Sequence, residues 1–116
     1  MNVRLLLRLE GLAIAVGAIV LLAEVDASWW IFVALILAPD LAFVAYAAGP
    51  RIGAAAYNLT HNLILPIALG TTGVLVDSTP STAVALTWLA HIGVDRLLGY
   101  GLKYPTAFKD THMQRV

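Results

Sequence analysis

Glu10, Asp40, His61, His91 and Asp95 are ionisable residues set inside long apolar runs, and Asn58 and Asn62 share the run of His61. A charged side chain at mid-bilayer costs about 2.5–3.5 kcal/mol on insertion scales, so such residues need partners or a purpose. Two imidazoles with up to three carboxylates form a donor set for zinc, iron or manganese, since the chain has no cysteine to supply a thiolate. The expected ligands are His61, His91 and Asp95, with Asp40 and Glu10 as further ligands or as acid/base groups. Asp110-Thr111-His112, near the carboxyl end, could fold back over the same point and add Asp110 and His112 to the metal set. A water on such an ion could serve as a nucleophile in hydrolysis, and iron could activate oxygen. The Glu-x-x-His pairs of di-iron bundles are absent, so the pattern is not that one.

Spacing supports a shaped site. His91 and Asp95 stand at i, i+4 and share one helix face with Trp88, while Asn58 and His61 share a face at i, i+3. Trp88 and Asn58 are expected to support the ligands from behind. Pro39 cannot donate to the Leu35 carbonyl, and Pro66 cannot donate to that of Asn62. Carbonyls freed in this way are tolerated in a membrane where they line protein or water.

The elements that must position these residues follow from composition. Of 116 residues, 60% are apolar and 12% charged. A soluble fold this small leaves too much of itself at the surface to hide that apolar area, whereas a lipid bilayer removes the difficulty. The zero net charge gives no reason to expect a nucleic-acid partner, and the lack of cysteine excludes disulfides and thiol catalysis.

Apolar stretches run over Leu5–Ala23, Trp29–Ala48, Ile52–Val76 and Thr82–Leu98, each near the roughly 20 residues that cross a bilayer. The short breaks between them predict antiparallel neighbours: an all-α, single-domain membrane protein with four transmembrane helices in an up-down-up-down bundle. All seven Lys and Arg fall on one side of this arrangement, and Glu24, Asp26 and Asp77 on the other. The positive-inside rule then places both termini in the cytoplasm. Counted at 1.5 Å per residue from the cytoplasmic ends, Glu10, Asp40, His61 and His91 lie roughly 8–15 Å deep, with Asp95 about one turn shallower. One polar layer, open to the cytoplasm, is the expected result.

Other readings use the same residues. Arg8, Arg51 and Arg96 could pair with Glu10, Asp40 and Asp95, making a structural or interaction protein with an arginine–carboxylate network. Arginines at helix ends usually snorkel to the interface, however, and the histidines stay unexplained. A proton or ion pathway is the third reading, and so small a bundle would serve it best as a homo-oligomer. The sequon Asn58-Leu59-Thr60 lies within a span, beyond the reach of glycosylation, and cleavage after Val25-Asp26-Ala27 would leave only three spans. Beyond Gly99, Tyr100, Tyr104 and Phe108 interleave with Lys103 and Lys109, a pattern for an interfacial tail at headgroup level.

Together, Arg8-Leu9-Glu10-Gly11, Ala38-Pro39-Asp40-Leu41, Gly49-Pro50-Arg51, Tyr57-Asn58 with His61, and Ala90-His91-Ile92-Gly93 through Asp95-Arg96 form a familiar set. The run Gly99-Tyr100-Gly101-Leu102-Lys103-Tyr104-Pro105, with Phe108 and Asp110-Thr111-His112, completes it. The chain resembles, over nearly its whole length, a small bacterial membrane family catalogued as domain of unknown function 4260. The resemblance implies a four-span protein of the bacterial inner membrane and carries no activity with it. Its motif residues coincide with the polar layer.

Overall fold

A computed structural model of the protein describes residues 2–116. Helix α1 (Val3–Glu24) begins where the Asn2 side chain accepts hydrogen bonds from the Arg4 and Leu5 amides. Helix α2 (Trp29–Leu35), capped by Ser28, continues into a 3₁₀-helix over Ala38–Ala48. Helices α3 (Pro50–His61) and α4 (Ile64–Leu75) form one further rod with a break at Asn62. Helix α5 (Thr79–Leu98) and the short α6 (His112–Arg115) complete the chain. Among the described residues the regular elements are all helices; between α5 and α6 the chain runs through turns that carry an isolated bridge between Lys103 and Thr111.

Three rods are long and apolar enough to cross a membrane: Val3–Glu24, Trp29–Ala48 and Pro50–Leu75. At 1.5 Å per residue the 22 residues of α1 reach about 33 Å, enough for the hydrocarbon core. Helix α5, which contains the fourth expected segment, is not one of the three. Its place in the fold explains its composition. Helices α1, α2 and α4 all pack against it, and Ala83, Ala85, Thr87, Ala90 and Ile92 are almost completely covered. A helix that faces protein on so many sides has little need of an apolar surface. The exposed Leu, Val, Ile and Trp side chains lie mostly on the outer rods, while α5 exposes only Val94 and Leu98 among its large apolar residues.

The α1–α5 contact depends on small residues. A Cβ added to Gly93 would lie 2.6 Å from the Ala15 amide nitrogen and 2.7 Å from the Gly11 carbonyl oxygen. The backbones therefore touch, as small residues permit between membrane helices. At the far end of α5, Gly99 adopts φ +96°, with the Gly99 amide on the Arg96 carbonyl and the Tyr100 amide on that of Asp95. This Schellman turn reverses the chain beside Asp95 and sends the tail back across the end of the bundle. The tail meets the amino terminus there: the Arg4 guanidinium donates to the Met113, Gln114 and Val116 carbonyls.

Candidate metal centre

The polar residues gather where the rods break. Pro39 has no amide hydrogen, so the helix tightens there and the Asp40 amide donates to Leu37, three residues back. This leaves the Ile36 carbonyl without its usual α-helical donor, and His91 Nδ1 donates to it at 2.6 Å. The second break does the same for α3. Extended backbone at Asn62 ends the helix, and its side-chain oxygen accepts from the Ile64 and Leu65 amides to start α4. The carbonyls of the last turns of α3 take side-chain donors, including those left open by the break. His61 Nδ1 donates to Tyr57, Asn62 to Asn58 and Leu59, Trp88 to Thr60, and Arg96 to His61. Carbonyls left bare at a buried helix end would be costly; here the side chains of α3, of α5 and of the break itself satisfy them.

Those bonds fix the imidazoles. A carbonyl oxygen can only accept, so in both histidines Nδ1 carries hydrogen and the neutral ring keeps its lone pair on Nε2. The two Nε2 atoms stand 3.1 Å apart. Asp40 Oδ1 lies 3.3 Å from that of His61 and 3.0 Å from that of His91. Asp95 Oδ2 lies 3.2 Å and 3.4 Å from the same two atoms. All four ligand-type atoms fall within 4.8 Å of one another. The histidine side chains are 2% and 5% exposed, those of Asp95 and Asp40 17% and 31%, so the cluster is closed on the imidazole side and open on the carboxylate side.

Tyr57 was not singled out as a site residue from sequence. Its ring stacks on His61 with centroids 3.6 Å apart, and its hydroxyl donates to Asp95 Oδ2 at 3.2 Å. The i, i+4 spacing of Tyr57 and His61 was the available signal. Asn58 does not support the ligands as expected. Its side chain instead clamps the tail, donating to the Lys103 carbonyl at 2.8 Å and accepting from the Lys103 amide at 2.7 Å. Trp88 does stand behind the site, through the Thr60 carbonyl.

The remaining expected site residues lie elsewhere. Glu10 is exposed on α1, and no ion pair or side-chain hydrogen bond involves it among the described residues. Asp110 forms an ion pair with Arg115 at 2.7 Å and also accepts from Thr106. These bonds hold its carboxyl at about 2, below the ordinary carboxylate range. His112 Nδ1 accepts from the Leu102 amide, and burial lowers the affinity of its ring for a proton. The tail folds back across the end of the helices, but it brings neither Asp110 nor His112 to the cluster. The arginine–carboxylate network does not form: Arg96 and Arg8 donate to the His61 and Leu97 carbonyls, and Asp40 and Asp95 face histidines.

A cavity of about 250 Å³ opens beside the carboxylates, bounded by Asp40, Asp95, Tyr57, Phe43 and the tail residues Tyr100, Lys103 and Phe108. Lys103 is 5% exposed. Its ammonium donates to the Phe108 carbonyl at 2.6 Å and lies over the Phe108 and Tyr57 rings. Burial lowers its affinity for a proton, and Asp95 opposes that shift. Sequence gave no sign of this role, because Lys103 reaches the cavity only through the fold of the tail.

Chemically, the cluster is a ready set of donors for a divalent cation, with room on one side for a further ligand. No curated protein and no solved structure matches the chain. A family model described as a domain of unknown function matches residues 4–116, which contain every residue of the cluster, and the chain belongs to that family, DUF4260.

Proposed function

We propose that the chain is a four-span protein of the bacterial inner membrane, with both termini cytoplasmic, built around a divalent transition-metal ion held by Asp40, His61, His91 and Asp95. One observation carries the reading: both histidines give Nδ1–H to fixed carbonyls and turn their Nε2 lone pairs toward each other at 3.1 Å, between two carboxylate oxygens. Acceptor atoms this close repel one another unless a cation lies among them. The spacing suits a small ion. Tetrahedral bonds of about 2.0–2.1 Å, as in zinc sites, set neighbouring donors about 3.3 Å apart; the five separations that include an imidazole nitrogen run from 3.0 to 3.4 Å, and all four atoms lie within 4.8 Å. The Nδ1–carbonyl bonds are also the usual way that a metal-ligating imidazole is oriented.

The fourth crossing would be α5, whose polar residues face protein, and the one-sided distribution of Lys and Arg supports the orientation. The cluster then opens toward the cytoplasm. An ion there would supply Lewis-acid activation of water for hydrolysis or, with iron or manganese, redox chemistry. Asp40, the more exposed carboxylate, stands at the cavity for proton transfer.

Metal analysis of detergent-purified protein tests this. About one equivalent of zinc, iron or manganese is expected, falling below a tenth in His61→Ala and His91→Ala. A protein that stays metal-free and gains no thermal stability from added metal would overturn the reading. A second reading would then lead: 3.1 Å is also a hydrogen-bond length, so one proton shared between the Nε2 atoms would make the cluster a proton relay. Proton flux in liposomes that is lost in Asp40→Asn would identify it.

A further inference from the structure

We propose that the cavity beside the cluster is a subsite for an oxyanion, a carboxylate or phosphate ester, carried on an apolar group and anchored by Lys103. This inference rests on the metal reading and adds the class of ligand. Within that reading, Asp40 and Asp95 balance the two charges of the ion, and the histidines are neutral. Lys103 is then an unbalanced positive charge in the cavity wall. A buried ammonium is costly unless paired, yet among the described residues its contacts are one neutral carbonyl and two ring faces, with no carboxylate within ion-pair distance. A ligand oxyanion placed between the ion and Lys103 would meet both charges. The other walls, Phe43, Tyr57, Tyr100 and Phe108, are aromatic and suit an apolar substituent rather than a second charge.

The position of Lys103 is built rather than incidental. Asn58 holds its amide and carbonyl together, and the bridge to Thr111 closes the loop around it. The tail packs so tightly there that a Cβ on Gly101 would collide with the His112 ring. A volume of about 250 Å³ lies just below the usual range for small-molecule pockets, about 300–1,000 Å³, so the site suits a compact acid or the head of a larger lipid.

Cobalt-loaded protein in neutral detergent provides the test, with visible absorption reporting ligands that reach the ion and calorimetry reporting affinity. Benzoate and phenyl phosphate are expected to bind and shift the cobalt bands, and benzyl alcohol, their neutral counterpart, to bind at least about tenfold more weakly. Lys103→Gln should weaken benzoate by about tenfold or more at unchanged cobalt content, and Lys103→Arg should recover most of the loss. Equal binding of benzyl alcohol and benzoate by the wild type would overturn the proposal, as would wild-type affinity in Lys103→Gln. The first comparison needs no variant, so it decides the question even if Lys103→Gln does not fold. Cobalt bound without anion preference sinks only this inference, whereas failure to bind cobalt sinks the metal reading with it. Weaker benzoate binding in phosphatidylglycerol than in phosphatidylcholine nanodiscs would identify a lipid headgroup as the natural oxyanion. Equal binding in both would identify a free small acid.

Discussion

Helices α1 and α5 are unbroken over 22 and 20 residues, and their backbones touch at Gly11 and Gly93. The other two rods break, one at Pro39 and one at Asn62, and the break points surround the cluster. An intact helix uses its own carbonyls internally and offers neighbours only side chains. A broken helix also offers carbonyls, strong acceptors held by the backbone. Here the Ile36 carbonyl orients His91, the Thr60 and His61 carbonyls take donors from Trp88 and Arg96, and the Tyr57 carbonyl, one turn before the break, orients His61. The straight pair supplies the frame and the broken rods supply the fixed acceptors, while α5 belongs to both as it carries His91, Asp95, Trp88 and Arg96.

The frame should be the easier part to destroy. Gly93→Leu drives a side chain into the α1 backbone, whose atoms cannot step aside. Overpacking of this kind typically costs about 1–3 kcal/mol and here should exceed that range. The variant should fail to accumulate as folded protein, as read by gel filtration and thermal unfolding in detergent. A wild-type unfolding temperature would show that the helices do not cross as closely as described.

A break should be damaged more mildly and in a more diagnostic way. Trp88→Phe keeps an aromatic, though smaller, side chain and leaves the Thr60 carbonyl without its donor, costing about 1–3 kcal/mol. Because this carbonyl adjoins His61, metal affinity should fall by about tenfold. Trp30→Phe, at a side chain 76% exposed on the outer surface, should change neither quantity. Equal effects from the two variants in a chelator competition would mean that the break does not orient the ligand.

Counting along the helices puts the ionisable residues near one level, but it leaves their direction around each helix open. Asp40, His61, His91 and Asp95 come together, with ligand-type atoms within 4.8 Å of one another. Glu10 counts to a similar level and still misses, because a level along the axis leaves rotation about it open. The buried residues of α1 are Gly11, Ala15, Ala18 and Leu22, a stripe of small and apolar positions at spacings of four, three and four. Glu10 precedes that stripe by one residue, about 100° around the helix. The small residues marked the protein-facing side, and Glu10 lies off it. The tail was harder to read. Its fold depends on Asn58, 45 residues before Lys103, and on the Leu102–His112 contact, which are long-range pairings that no local pattern reveals.

The comparison sharpens further at the tail, where the expected effects are small. Asp110 holds Arg115, and its folded-state value of about 2 is below the ordinary 3.9 of an unfolded aspartate. A depressed carboxylate contributes stability that is complete above the unfolded value and lost as pH falls through the folded one. Docking of the tail should therefore loosen between about pH 4 and pH 2. Pepsin, active in that range, should begin to cut near Phe108 only as the pH falls. Asp110→Asn should be cut already at pH 4 while keeping its full metal content, and loss of metal in this variant would return Asp110 to the cluster.

The smallest effect is expected at Glu10. Its carboxylate is exposed on the outside of the frame and touches no ligand, so Glu10→Gln removes a charge without removing a contact. Metal content should stay at the wild-type value, and stability should change by no more than about 0.5 kcal/mol. Asp40→Asn, the analogous acid-to-amide change at a break, should lower metal affinity strongly, since that oxygen stands within 3.3 Å of both imidazoles. Each variant turns a carboxylate into its amide, one on an unbroken rod and one at a break. If Glu10→Gln also depletes the metal, then α1 takes part in the chemistry, and the division between an inert frame and broken, acceptor-bearing rods fails.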